Sequence, residues 1–179
     1  MKMKKYFNLL TALLIIGFVS CNNQKSDKNS EISKIKELET QIYNESTNSI
    51  NKKAVTDLLD AYSNFVKNFA NDSLAPEYLF KAGEIAMNTH MGTQSVFYFN
   101  KLQNNYPTYK KIPYCIFLQA FVYDSQLKKY DKAKEYYNLF ITKYPNNELV
   151  KDAKASIKNL GKSLDEIIKE FENKKGDKK

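Results

Sequence analysis

Residues 130–145 read YDKAKEYYNLFITKYP, and four of them decide the fold: Ala133, Tyr137, Phe140 and Tyr144, with Pro145 immediately after. Steps of four, three and four residues put these side chains on one face of an α-helix. The same order of residue types stands upstream as Ser95, Phe99, Leu102 and Tyr106, followed by Pro107. It stands once more as Leu58, Tyr62, Phe65 and Phe69, with Ala70 in place of the proline. The copies are offset by 37 and then 38 residues. Proline cannot donate a helical hydrogen bond and restricts the residue ahead of it, so Asn105-Tyr106-Pro107 and Lys143-Tyr144-Pro145 predict helix ends. Between the copies lie two further apolar helices, beginning near Pro76 and Pro113. One period is a helix, a short turn and a helix, which marks a repeat architecture.

Outward from the repeats, Ser30 or Glu31 opens an amphipathic helix through Tyr43, along Ile32, Ile35, Leu38 and Ile42. A break over Asn44–Asn51 precedes a longer helix from about Lys52 to Asn68. Asp72-Ser73 caps the next helix, and Pro76 suits its first turn. Glu77 to Asn88 is apolar on nearly every side, and Tyr114 to Tyr123 more so, which requires cover on several faces, as between stacked hairpins. Asn146-Asn147 is expected to start a helix that stops at Gly161. Ser163 with Glu166 makes a capping box for a terminal helix whose stripe, Leu164, Ile167, Ile168 and Phe171, should close the stack.

The amino terminus predicts the compartment. Residues 1–20 read as a signal peptide: Lys2, Lys4 and Lys5, then an apolar run from Leu9 to Val19 that is too short to span a membrane. Phe18-Val19-Ser20-Cys21 resembles a lipoprotein cleavage box, which implies lipidation of Cys21; an ordinary signal with an incidental cysteine, or an uncleaved anchor, is the alternative. More than one acyl chain is needed for lasting attachment, and a diacylglyceryl thioether with an amide-linked chain supplies it. Residues 21–30 would be the lipidated cysteine and a disordered tether reaching roughly 15–18 Å. Asparagine after Cys21, rather than the aspartate associated with inner-membrane retention, points to the outer membrane, facing the periplasm. Cys115 then has no partner and reads as a buried, inert thiol.

Charge and residue chemistry narrow the function. Of the formal net charge of +8, three lysines lie in the leader, leaving +5. Every basic residue apart from His90 is lysine, and with no arginine to read bases and no basic stripe, nucleic acid is not an expected partner. No phosphate loop, serine elbow, paired metal ligands or cysteine–histidine pair is present, so neither enzyme activity nor a cofactor or metal is expected. His90, in a turn beside Gly92, reads as solvated. Asp72-Ser73-Leu74 resembles a short O-glycosylation signal of some bacterial envelopes, which would place a glycan on Ser73; a plain turn is the alternative.

The pattern resembles the tetratricopeptide repeat, a helix hairpin of about 34 residues with a small residue, an aromatic and a closing proline at set offsets in its second helix. Ala133, Tyr137 and Phe140 fall on those offsets before Pro145, and Tyr130 stands three before Ala133. Ser95, Phe99 and Leu102 do the same before Pro107, with Gly92 in place of the tyrosine. In the first helices the small residue falls on Ala82 or Gly83 and on Ala120. The unit here is a few residues longer than the family's, and no tryptophan is present.

The resemblance implies an all-α fold, a right-handed α-solenoid of about three hairpins with a C-terminal capping helix over residues 31–172, followed by a charged tail at 173–179. It also implies that first helices line a concave groove for an extended peptide or a partner's helix. Tyr114, Phe117 and Phe121, with Asp124 one turn on, would form that wall, continued by Leu79, Gly83 and Ala86, with Lys81 and Asp124 as polar contacts; core packing is the alternative for each aromatic. The expected function is a membrane-tethered, non-enzymatic interaction scaffold in an envelope complex, similar in architecture to repeat lipoproteins of outer-membrane protein assembly. A carbohydrate-capture lipoprotein or a self-associating subunit, a homodimer, are the other readings.

Overall fold

The computed structural model describes residues 28–42 and 51–176, and every regular element among them is a helix. The leader 1–20, Cys21, all but the last residue of the expected break at 44–51 and most of the tether lie outside the described residues. The helices are α1 (28–42), α2 (Lys52–Asn68), α3 (Ala75–Asn88), α4 (Gly92–Asn105), α5 (Ile112–Ser125), α6 (Tyr130–Lys143), α7 (Val150–Asn159) and α8 (Leu164–Gly176). None is long and apolar enough to cross a membrane. The fold class is all-α, with paired helices in the manner of an α-solenoid. The chain divides into two compact units, one ending at Ala75 and the other starting at Pro76.

In the first unit, α1 lies against α2. Asn51 caps α2 through its side-chain oxygen, which accepts from the Lys53 and Ala54 amides at 3.1 and 3.2 Å, satisfying donors that have no helical partner. Leu58, Tyr62 and Phe65 of the first repeat copy are at most 1% exposed, and Ile35 of α1 is equally buried. The Tyr62 hydroxyl donates to Glu39 at 2.6 Å and the Asn68 amide to Glu31 at 2.7 Å. The tether is shorter than expected, because residues 28–30 are already helical: Lys28 pairs with Asp72, giving the first turn an anchor that the stripe from Ile32 onward does not show.

The second unit holds α3 to α8. In the second repeat copy Ser95, Phe99 and Leu102 are fully buried, and in the third Ala133, Tyr137 and Phe140. The small residue at the head of the second stripe has a visible reason. Ser95 sits close enough to α3 for its hydroxyl to donate to the Gly83 carbonyl at 2.9 Å, and Phe99 one turn on packs against Gly83 itself.

The repeat is written into the backbone. Phe69, Tyr106 and Tyr144 each end a helix with φ between −130 and −135° and ψ between 47 and 57°, their amides bonded to Phe65, Leu102 and Phe140. Three residues later the amides of Asp72, Tyr109 and Asn147 donate back to the carbonyls of Phe69, Tyr106 and Tyr144. Ala75, Ile112 and Val150 then donate to the carbonyls of Asp72, Tyr109 and Asn147. Ala70 leaves this turn unchanged, so proline reinforces the helix end without being required for it. α7 accordingly begins at Val150 and not at Asn146; Asn147 instead turns the chain by accepting from the Leu149 amide at 3.0 Å, as Asp72 does from Leu74 at 2.9 Å.

At the carboxyl end, Gly161 takes φ +74°, the left-handed conformation that glycine adopts without penalty. The capping box closes as expected: the Ser163 amide donates to Glu166 at 2.7 Å and the Glu166 amide to Ser163 Oγ at 3.3 Å. Two expectations fail here. Leu164 is 72% and Ile168 45% exposed, so that edge of the stripe is left uncovered. The charged tail is also shorter, since α8 continues to Gly176 through residues that favour helix, Lys and Glu.

Candidate functional site

The sequence of α5, IPYCIFLQAFVYDS, buries Ile112, Cys115, Ile116, Leu118, Gln119, Ala120 and Val122. It leaves Tyr114 44% and Phe121 43% exposed. Seven residues is about two turns, so these two rings share one edge of the helix. Phe117, between them, is half-buried and meets Tyr137 and Phe140 edge-on, at centroid distances of 5.7 and 5.5 Å. It belongs to the α5–α6 core. Tyr114 stands 6.1 Å from the Phe80 ring, and Asp124 is half-buried one turn past Phe121. Of the four residues expected to form a wall, Tyr114 and Phe121 face solvent, Phe117 anchors the hairpin, and Asp124 enters a cleft.

α3 does not continue that wall. Leu79 is 1% exposed, Ala86 is fully buried, and a Cβ at Gly83 would fall 2.3 Å from the Phe99 ring. The apolar and small residues there serve the close approach of α4, which corrects their assignment to a groove. Lys81 is half-buried, and its charge acts on Glu77 and Glu84.

The polar part of α3 is instead tied to the loop before α5. Glu77 accepts from the Tyr109 hydroxyl and from Lys111 Nζ, the latter at 3.0 Å. Lys111 also stands 4.4 Å above the Phe80 ring centroid, a favourable cation–π position. Burial raises the Glu77 carboxyl, but the bonds from Tyr109 and Lys111 outweigh it and hold it below the usual range. Burial and the Glu77 bond push the Tyr109 phenol well up. Burial likewise raises Glu84, against the pull of Lys111 and Lys81.

A second polar system, which the sequence reading missed, crosses α4 to α6. Gln119, fully buried, accepts from Gln103 at 2.5 Å and donates to Asn100 at 2.8 Å. Tyr136 reaches the same Asn100 oxygen at 3.4 Å. The signal was one amide inside an otherwise apolar run. Cys115 is buried beside it, its sulfur 3.6 Å from the Phe99 carbonyl, and burial pushes its thiol far above the usual value.

Also missed was a cleft of about 460 Å³ where the end of α5, the start of α6, α7 and the start of α8 converge. Asp124, Lys128, Asp152, Ser156 and Lys162 line it. In sequence each looks like an ordinary surface polar residue, and only the return of α8 brings them together. Among the described residues no three His, Cys, Asp or Glu side chains are grouped to hold a metal. Ser73 is exposed in the turn before α3, His90 is exposed at φ 59°, and Cys21 lies outside the described residues.

The tetratricopeptide repeat family matches residues 114–147, a span that takes in most of α5, all of α6 and the turn through Asn147. That span is similar to a tetratricopeptide repeat, and it covers less than half of the chain. No curated protein is significantly similar to it.

Proposed function

We propose that this repeat-containing chain is a non-enzymatic protein-interaction scaffold, held to a bacterial envelope membrane by lipid on Cys21 and recruiting a subunit of an envelope complex. The observation that supports the reading is the pair of exposed rings, Tyr114 and Phe121, on one edge of α5. Exposed aromatics on a rigid element lose little conformational entropy on binding and are typical energetic anchors of interfaces. The helix that carries them is held by its buried side, so the rings are displayed without need of rearrangement. Outer-membrane attachment facing the periplasm rests on Asn22 following Cys21 in sequence.

The test is capture of partners by the full chain in mild detergent, compared with Tyr114→Ala and Phe121→Ala. One stoichiometric envelope protein, lost in both variants, is the expected result. Capture unchanged in both would remove the surface from consideration. Replacing Cys21 by Ser should release the protein from the membrane fraction; retention there would refute lipidation. The exposed Leu164 and Ile168 on α8 favour self-association as the second reading, which light scattering of the full chain decides.

A further inference from the structure

The cleft at the end of α5 brings side chains of both charge signs together. It is bounded by two carboxylates, Asp124 and Asp152, and two ammonium groups, Lys128 and Lys162. Lys162 is fixed at its edge by an ion pair with Glu170. Ser156 stands in the same lining. A volume of about 460 Å³ is within the range of small-ligand sites.

We propose that this cleft binds a small zwitterion, of the size of an amino acid or dipeptide. A ligand of one charge sign would meet two like charges in the lining, whereas a zwitterion places its ammonium toward Asp124 and Asp152 and its carboxylate toward Lys128 and Lys162. A neutral polyol would leave all four charges without a counterpart on the ligand. Asp124 gains most, since it is half-buried and only Lys128 offsets that burial. The Ser156 hydroxyl in the lining supplies a neutral donor. The site is separate from the exposed rings of α5, so its failure would leave the scaffold reading intact.

Calorimetric titration of the full chain in detergent with glycylglycine and L-glutamine tests the idea, against putrescine, succinate and glycerol as cationic, anionic and neutral controls. At least one zwitterion should saturate at one per chain, and Asp124→Asn and Lys128→Gln should each weaken it about tenfold or more. No saturation by either zwitterion, equal binding of a control, or affinity unchanged in Asp124→Asn and Lys128→Gln would overturn the proposal.

Discussion

Gln103 on α4 and Gln119 on α5 hydrogen-bond at 2.5 Å, so the only amide in the α5 core is spent on the neighbouring hairpin. Gln119→Ala should lose about 1–3 kcal/mol of stability, because Gln103 and Asn100 keep their polar groups without that partner. Gln119→Leu combined with Gln103→Leu should recover part of the loss. Urea denaturation of the two variants, with unchanged slopes, checks this.

Gly83→Ala should destabilise by about 1–3 kcal/mol, as overpacking in a filled core does. The added Cβ would fall 2.3 to 2.8 Å from three atoms of the Phe99 ring, which is itself fully buried and has no room to retreat. A lower melting temperature is the readout; no change would mean that α3 and α4 shift apart freely.

Glu77 ties stability to pH. Its carboxyl is held below the unfolded value by Tyr109 and Lys111 despite burial, so the folded state binds the proton less readily than the unfolded one. Its contribution is present above the unfolded pKa and is lost as pH falls through the folded one. Glu77→Gln should therefore be less stable than the parent near neutrality, and the gap should shrink steadily below about pH 4.5. A gap independent of pH would show that the carboxylate charge is not what matters.

Phe117→Ala and Phe121→Ala should separate packing from display. Phe117, wedged between Tyr137 and Phe140, should lose about 3 kcal/mol. Phe121 should change stability by under about 1 kcal/mol yet weaken partner binding tenfold or more. Thermal melts beside partner titrations distinguish them.

The repeat was legible because its determinants are local: stripe spacing, caps and turn residues act within a few positions, and Tyr137, Phe140, Gly161 and the Ser163–Glu166 box stand where their spacing placed them. Facing was less legible. α5 and α3 are apolar nearly all round, so no periodicity could tell that Tyr114 and Phe121 are exposed while Leu79, Gly83 and Ala86 are covered. That depends on which neighbour arrives, as the Phe99 ring does at Gly83. The cleft was illegible for the same reason: Asp124, Lys128, Asp152 and Lys162 have no spacing in common, and only tertiary folding joins them.

Cys115 carries a use beyond packing. Its thiol is sealed against the Phe99 carbonyl and disfavoured as a thiolate by its surroundings, and only the thiolate reacts. An alkylating reagent must wait for α4 and α5 to part, so the rate of labelling at this sulfur is a clock for that opening, running inside the native protein without any introduced probe.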